Sequence, residues 1–323
     1  MRAPRSVLMA ILMLGVIAAP LAAEAQQAKR LYRIGVLTEA FAPNHPAVEG
    51  LRTGLRTLGL EEGRDVSLDV RFTGGSPEAL PAVAAAMVNA GVDLIFTTSE
   101  PPTRAAMAAT KAIPIVFTLV GDPVAEGIVR DLAHPRGNVT GVSGLSTELV
   151  PKRLEILKTI VPTLRRVWAI YPADNPTWAA AAKKAREAAP VLQLQLVDRP
   201  VRAPEEVTQA LEALRPGDGL LPPITTVFDI PGQIWYRSGQ VPAIFASAFW
   251  TRRGALVSYG SSYDAEGVQA ARLVAKILGG AKPSDLPVEQ TTKFELVINL
   301  KTAKALGLTI PQSLVLRADE IIQ

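Results

Sequence analysis

The stretch from Val92 to Gly127, VDLIFTTSEPPTRAAMAATKAIPIVFTLVGDPVAEG, narrows the possible folds more than any other part of the chain. It holds two apolar runs, Leu94–Phe96 and Ile113–Phe117, each passing into a small polar turn. Near-continuous apolar runs of this length suit strands covered on both faces. Ser99 stands before Glu100-Pro101 and Asp122 before Pro123, so each turn offers a polar N-cap with proline in the first helical turn. Both turns therefore predict a helix starting at the carboxyl end of a strand. Open α/β sheets bind ligands there, because free backbone N–H groups and the positive end of the helix dipole point outward together. A cap needs no ligand, and Ser99 or Asp122 could serve its helix alone. The device recurs, however, at Asn44 before Pro46, at Ser76-Pro77 and at Asn175-Pro176. Repeated strand, capped loop and helix predict a doubly wound α/β protein with several helix N-termini facing one crevice.

Residues 1–25 stand apart from this pattern. Arg2 and Arg5 form a basic start, Val7 to Ala19 is apolar, and Ala23-Glu24-Ala25 has the form of an A-x-A cleavage signal. The apolar core is shorter than the ~20 residues a bilayer demands. A cleavable signal peptide and a periplasmic mature protein are expected. The absence of cysteine excludes thiol catalysis, disulfides and a lipid-modified cysteine. The two histidines, His45 and His134, lack partners at metal-ligand spacing, so neither a metal nor another cofactor is expected. Net charge is +4, and the basic residues are spread among acidic ones rather than gathered on an aromatic-bearing face. That pattern argues against nucleic acid as a partner.

A mature chain of this length suits two lobes. In the first, Leu31–Thr38 reads as a strand, followed by a helix carrying Val48, Leu51, Leu55 and Leu58 on one face. Val66–Phe72 alternates and reads as an edge strand, and Ser76-Pro77 opens a helix burying Leu80, Val83, Met87 and Val88. Around Leu145 the strand–helix alternation begins afresh, and the last quarter holds more units than one lobe needs. Such units can return to the first lobe and cross again, and three crossings make a hinge. The expected division is a first lobe of residues 26–145 plus about 254–287 and a second of 146–253 plus about 288–323.

Five stretches carry a family resemblance: HPAVEGLRTGLRTLGLEEGRDV, IPIVFTLVGDPVAEGIV, GNVTGVSGLSTEL, KRLEILKTIVP and LPVEQTTKFELVINLKTAKALGLTIPQSL. With them the mature chain resembles, over essentially its whole length, the type I periplasmic solute-binding proteins of ABC transporters. Within these it is similar to the tryptophan/tyrosine, or amino-acid-like, branch. The resemblance implies a Venus-flytrap receptor without catalytic activity. Such a receptor has two doubly wound parallel-sheet lobes joined by a three-strand hinge, and it passes a small solute to a membrane permease. A monomer is expected. Mapped onto matching positions, the resemblance points to Thr98 and Ser99, Thr118 and Asp122, Ser143, and Asn175 as ligand-binding residues. Thr225, in the proline-rich loop after Leu221, is a further candidate. That loop reads Leu221-Pro222-Pro223-Ile224 where the family pattern has an acidic residue between prolines, which puts the preference for an amino acid in question.

Phe245, Phe249, Trp250, Tyr259 and Tyr263 fall at or just after strand ends, where a ring can stack on a planar ligand or pack in the core. Phe245, Tyr259 and Tyr263 are the cleft candidates. Trp168 reads as core, and Trp178 as a residue at the cleft mouth. The competing class is an exported hydrolase. Its nearest nucleophile context, Gly141-Val142-Ser143-Gly144-Leu145, lacks the second glycine of G-x-S-x-G, and both histidines precede Ser143. No glycine-rich dinucleotide fingerprint follows the first strand. A sensor feeding a membrane kinase or chemoreceptor would use the same fold.

Overall fold

The computed structural model of the chain describes residues 30–40, 42–173, 176–222 and 240–323. The first lobe is built on a six-stranded sheet ordered β11-β5-β4-β3-β1-β2. Its strands are β1 (Tyr32–Thr38), β2 (Val66–Phe72), β3 (Leu94–Thr98), β4 (Ile115–Val120), β5 (Val139–Ser143) and β11 (Glu289–Gln290). All are parallel. The alternating β2 lies at the edge, while β3 and β5 are buried throughout.

Side chains leave these strands alternately, so each strand feeds two cores. Ile34, Val36, Leu94 and Phe96 meet α1 (Pro46–Thr57) and α8 (Tyr263–Leu278) on one face. Leu37, Ile95, Ile115 and Phe117 meet α2 (Leu80–Asn89) and α3 (Glu100–Ala109) on the other. Helices α1 and α8 approach through glycine. A Cβ on Gly50 would stand 2.0 Å from the Asp264 carbonyl oxygen, and one on Gly267 would stand 2.1 Å from that of Ala47.

In the second lobe β6 (Arg166–Pro172), β7 (Gln195–Val201) and β8 (Asp218–Leu220) form a three-stranded parallel sheet ordered β7-β6-β8. A bridge from Leu220 to Ala243 joins it to a four-stranded sheet ordered β13-β12-β10-β9. That sheet contains β9 (Ile244–Phe245), β10 (Val257–Ser261), β12 (Phe294–Asn299) and β13 (Glu320–Ile322). One face is covered by α4 (Val150–Ile160), α5 (Pro176–Ala188), α9 (Leu300–Ala305) and α10 (Gln312–Val315). The other packs on α6 (Pro204–Glu212) and on Trp250 of α7 (Ala248–Arg252). Asp218 ties this sheet together. It accepts from both arms of Arg166 at 2.8 and 2.5 Å, from the Trp168 indole at 3.0 Å and from the Arg215 amide at 2.9 Å.

The chain crosses between lobes three times: from β5 to α4, from β10 into α8, and from β11 to β12. Two of these crossings fall elsewhere than the sequence led us to expect. Within 254–287, expected in the first lobe, β10 stays in the second because its ladder partners are β9 and β12. Conversely β11, expected in the second lobe, pairs with β5 of the first. The sheets are also not wholly parallel, since β10 and β12 run antiparallel. β12 follows β11 after the short link from Gln290 to Phe294 and runs opposite to β10 in its sheet.

Candidate functional site

The carboxyl ends of β1, β3, β4 and β5 carry the small polar residues picked out in the sequence, and most of their hydroxyls serve the fold. Thr98 donates to Thr38 at 2.7 Å, joining the ends of β3 and β1. Thr118 is fully buried and donates to the Thr97 carbonyl at 3.2 Å, so its hydroxyl bonds within the sheet and not into the crevice. Ser143, also buried, donates to the Val120 carbonyl at 3.2 Å.

Ser99 makes no side-chain cap bond to α3. Its backbone sits at φ 76° and ψ 172°, a region that side-chain-bearing residues rarely occupy, and its hydroxyl donates to Glu39 at 3.1 Å. Asp122 does cap, accepting from the Val124 and Ala125 amides at 3.2 and 3.0 Å. Beyond Asp122 the chain runs through a string of turns rather than the expected helix. At the start of α1 the cap is His45, not Asn44, with Nδ1 accepting from the Ala47 amide at 3.2 Å. Ser76 does not cap and hydrogen-bonds Glu78 instead.

Several residues join the two lobes near these strand ends. Glu126, in the loop after β4, is 4% exposed, and its Oε1 accepts from the Thr177 hydroxyl of α5 at 2.5 Å. Burial raises its carboxyl above the ordinary range, against the pull of Thr177, the Asp122 amide and Arg104. Oε2 has no hydrogen-bond partner among the described residues. Beside them, a Cβ on Gly121 would lie 3.3 Å from Thr177 Cγ2, 3.7 Å from Ser146 Cβ and 3.8 Å from Glu126 Oε1.

Tyr263, at the first turn of α8, stacks on His45 with ring centroids 5.8 Å apart. Its hydroxyl meets the Ser247 hydroxyl across the lobe boundary, and burial pushes the phenol up to about 12. Burial alone drives the His45 imidazole down to about 4. Glu266, one turn further along α8, is fully buried. It accepts at 2.8 Å from the amide of Leu119, which a bulge in β4 leaves off the ladder. Its carboxyl also lies beside the Ser261 hydroxyl, and burial pushes it up to about 7.

Arg153 of α4 is 1% exposed and forms no ion pair with a described carboxylate. It donates to the Tyr259 carbonyl at 2.7 Å, the Ser146 carbonyl at 2.9 Å and the Ser146 hydroxyl at 3.0 Å. Burial lowers its guanidinium to about 10. It lines a cavity of about 20 Å³, water-sized, together with Tyr171, Trp178, Leu221 and Pro222.

Two aromatic expectations are corrected. Phe245 is fully buried between α6 and Trp250, because its position in β9 points to the outer core and away from the cleft. Trp178 is 2% exposed and belongs to the inner core of the second lobe. Tyr259 is half-buried against that core, its ring 6.3 Å from Phe294. Trp168 is core, as its apolar strand predicts. Asn175 and Thr225 lie outside the described residues.

Sequence reasoning missed Glu126, Arg153 and Glu266. A signal for two of them was available. Arg153 shares a helical face with Val150, Leu154 and Leu157, and Glu266 shares one with Ala270, Leu273 and Ile277. A charge at an apolar register position marks a buried ion. Among the described residues no cluster of acids and histidines could hold a metal ion, and no helix is long and apolar enough to cross a membrane.

Comparison with known proteins places this geometry in a family. Residues 42–322 match the family model for ABC transporter substrate binding proteins. A "Tyrosine-binding protein" of Clostridioides difficile is 28% identical over 276 residues, covering 82% of this chain and 78% of its own. Among solved structures, an ABC domain in complex with L-Trp from Streptococcus pneumonia superposes with a TM-score of 0.79 at 25% identity, over 91% of this chain and all of that one. The ligand-free, open structure of a Clostridium difficile substrate binding protein with adhesive properties gives 0.69 at 27% identity, over 91% and 99%. With two α/β lobes, three crossings and a family match across nearly all of the described chain, the protein belongs to the ABC transporter substrate-binding protein family.

Proposed function

We propose that the chain is the extracytoplasmic receptor of an ABC importer, which captures an α-amino acid with an aromatic side chain between its lobes and delivers it unchanged to the permease. The observation that carries this reading is the closed lobe boundary at the strand ends, where Glu126 meets Thr177 and Tyr263 meets Ser247. Entry of a solute requires these contacts to part, which makes them the moving surface of a hinged receptor. The higher similarity to the L-Trp complex than to the open, ligand-free relative fits a closed conformation. The ligands of the C. difficile and S. pneumonia relatives support the class of solute.

Export follows from the first 25 residues, whose cleavage after Ala25 would release a periplasmic monomer. Titration calorimetry of the mature protein against the twenty L-amino acids tests the reading. Binding of tryptophan or tyrosine, with the ligand recovered intact, is the expected result. A ligand at about 100 times its dissociation constant also adds ~2.7 kcal/mol to folding stability, visible as a raised melting temperature. No binding of any amino acid, or steady chemical conversion of one, would remove the reading.

A further inference from the structure

Two ions are buried beside the same stretch of the lobe boundary, and among the described residues each lacks an opposite charge of its own. On the first lobe, Glu126 keeps one carboxylate oxygen against Thr177 and has no hydrogen-bond partner for the other among the described residues. The charges that act on it are Arg104, which pairs with Glu100 and bonds the Glu126 carbonyl, and the like charge of Asp122. On the second lobe, Arg153 gives three hydrogen bonds, all to neutral oxygens, and has five N–H donors to give. Among the described residues no carboxylate acts on it, and its neighbours Tyr263 and Tyr259 carry neutral phenols. Gly121 and Ser146 stand between the two ions. Gly121 approaches both Glu126 and Ser146, and Ser146 accepts two of the Arg153 bonds.

A buried ion without a counter-ion is expensive, and simple hydrogen bonding to neutral groups repays only part of the cost. A single buried ion can be a structural accident of packing. An anion and a cation on opposite lobes, flanking one glycine and one serine, are complementary to a ligand that carries both charges on neighbouring atoms. We propose that Glu126 and Arg153 together recognise the zwitterionic head of the ligand, the Glu126 carboxylate taking its ammonium and the Arg153 guanidinium its carboxylate. Placing one charge on each lobe makes the head group a strap: only the closed form satisfies both ends, so affinity and closure are coupled.

This inference rests on the amino-acid reading above, and the test separates the two. Calorimetry first identifies the tightest-binding L-amino acid. It then compares that compound with its decarboxylated amine and its deaminated acid, which for tryptophan are tryptamine and indole-3-propionate. In the unmodified protein each truncated ligand should bind about ten- to a hundredfold more weakly, the loss of one charge-assisted contact. Glu126→Gln should weaken the amino acid by a similar factor and leave the deaminated acid unchanged. Arg153→Gln should weaken the amino acid and leave the amine unchanged. Arg153→Lys, which keeps the charge and guards against a folding defect, should retain the preference for a carboxylate. If Glu126→Gln weakens the amino acid and the deaminated acid equally, Glu126 acts only as a latch to Thr177 and the proposal falls. Unaltered discrimination in both variants overturns it as well, with the amino-acid reading intact. If the unmodified protein binds no amino acid, both fall together.

Discussion

The Glu126 carboxylate and the Thr177 hydroxyl stand 2.5 Å apart, one in the loop after β4 and the other in the first turn of α5, so this hydrogen bond joins the lobes at the strand ends. Thr177→Val keeps the shape of the side chain and removes the donor, leaving a buried carboxylate with one bond fewer. A hydrogen bond to a charged group contributes about 1.5–3 kcal/mol, and here all of that favours the closed form. Small-angle scattering of the unliganded variant should give a larger radius of gyration than the unmodified protein. Equal radii would show that other contacts hold the lobes together.

Two titrations oppose each other between pH 4.5 and 6.5. Glu266 has its folded pKa raised to about 7, so its contribution is fully present below the unfolded value near 4.5 and is lost as pH rises toward 7. His45 has its folded pKa lowered to about 4, so its contribution is present above 6.5 and is lost as pH falls toward 4. Each shift corresponds to ~3 kcal/mol, of opposite slope. In Glu266→Gln the histidine is no longer opposed by Glu266, and chemical denaturation should show stability rising with pH more steeply, or falling less, than in the unmodified protein across this window. In His45→Asn, which retains a capping oxygen, stability should fall with pH. Parallel profiles in the two variants would refute both assignments.

Gly267→Ala pits propensity against packing. Alanine favours a helix interior by ~1 kcal/mol over glycine. The new Cβ, however, would stand 2.1 Å from the Ala47 carbonyl oxygen, and only separation of α1 from α8 relieves that clash. Overpacking of this kind costs about 1–3 kcal/mol or more, so the variant should be destabilised, with a lower denaturant midpoint. An unchanged or raised midpoint would mean that the two helices have room to separate.

At Ser99 the usual order of alanine and glycine should reverse. Both Ser99→Ala and Ser99→Gly lose the hydroxyl bond to Glu39, but only glycine tolerates φ 76° with ψ 172°. Relief of such strain amounts to ~1–3 kcal/mol, and the glycine variant should melt at the higher temperature. Had Ser99 been a side-chain N-cap, alanine would instead have cost ~1 kcal/mol through fraying of α3.

The mature protein should begin at Gln26, which mass spectrometry of a periplasmic extract would show. Recovery of an intact segment 1–25 on the native protein would contradict a cleaved signal.

Local chemistry determined most of the architecture. Apolar runs such as Ile113–Phe117, the alternation of Val66, Leu68 and Val70, and the spacing of Val48, Leu51 and Leu55 depend only on the period of a strand or helix. The two lobes and their repeated strand–helix units were legible for that reason, and the third crossing was foreseen in number if not in place. Tertiary structure decided where β10 and β11 belong, because a strand takes the lobe of its ladder partner and not of its sequence neighbours. It also decided the site. Thr118 and Phe245 sit at strand ends in sequence, yet pleating and the sequence-distant Thr97 and Val207, with nearby Trp250, turn them into the fold. Glu126 and Arg153 are ordinary surface charges by residue type. Their meaning arises only when α5 closes over one and β10 over the other, because removal of water from an ion is a property of the packed whole and leaves no mark on the local sequence.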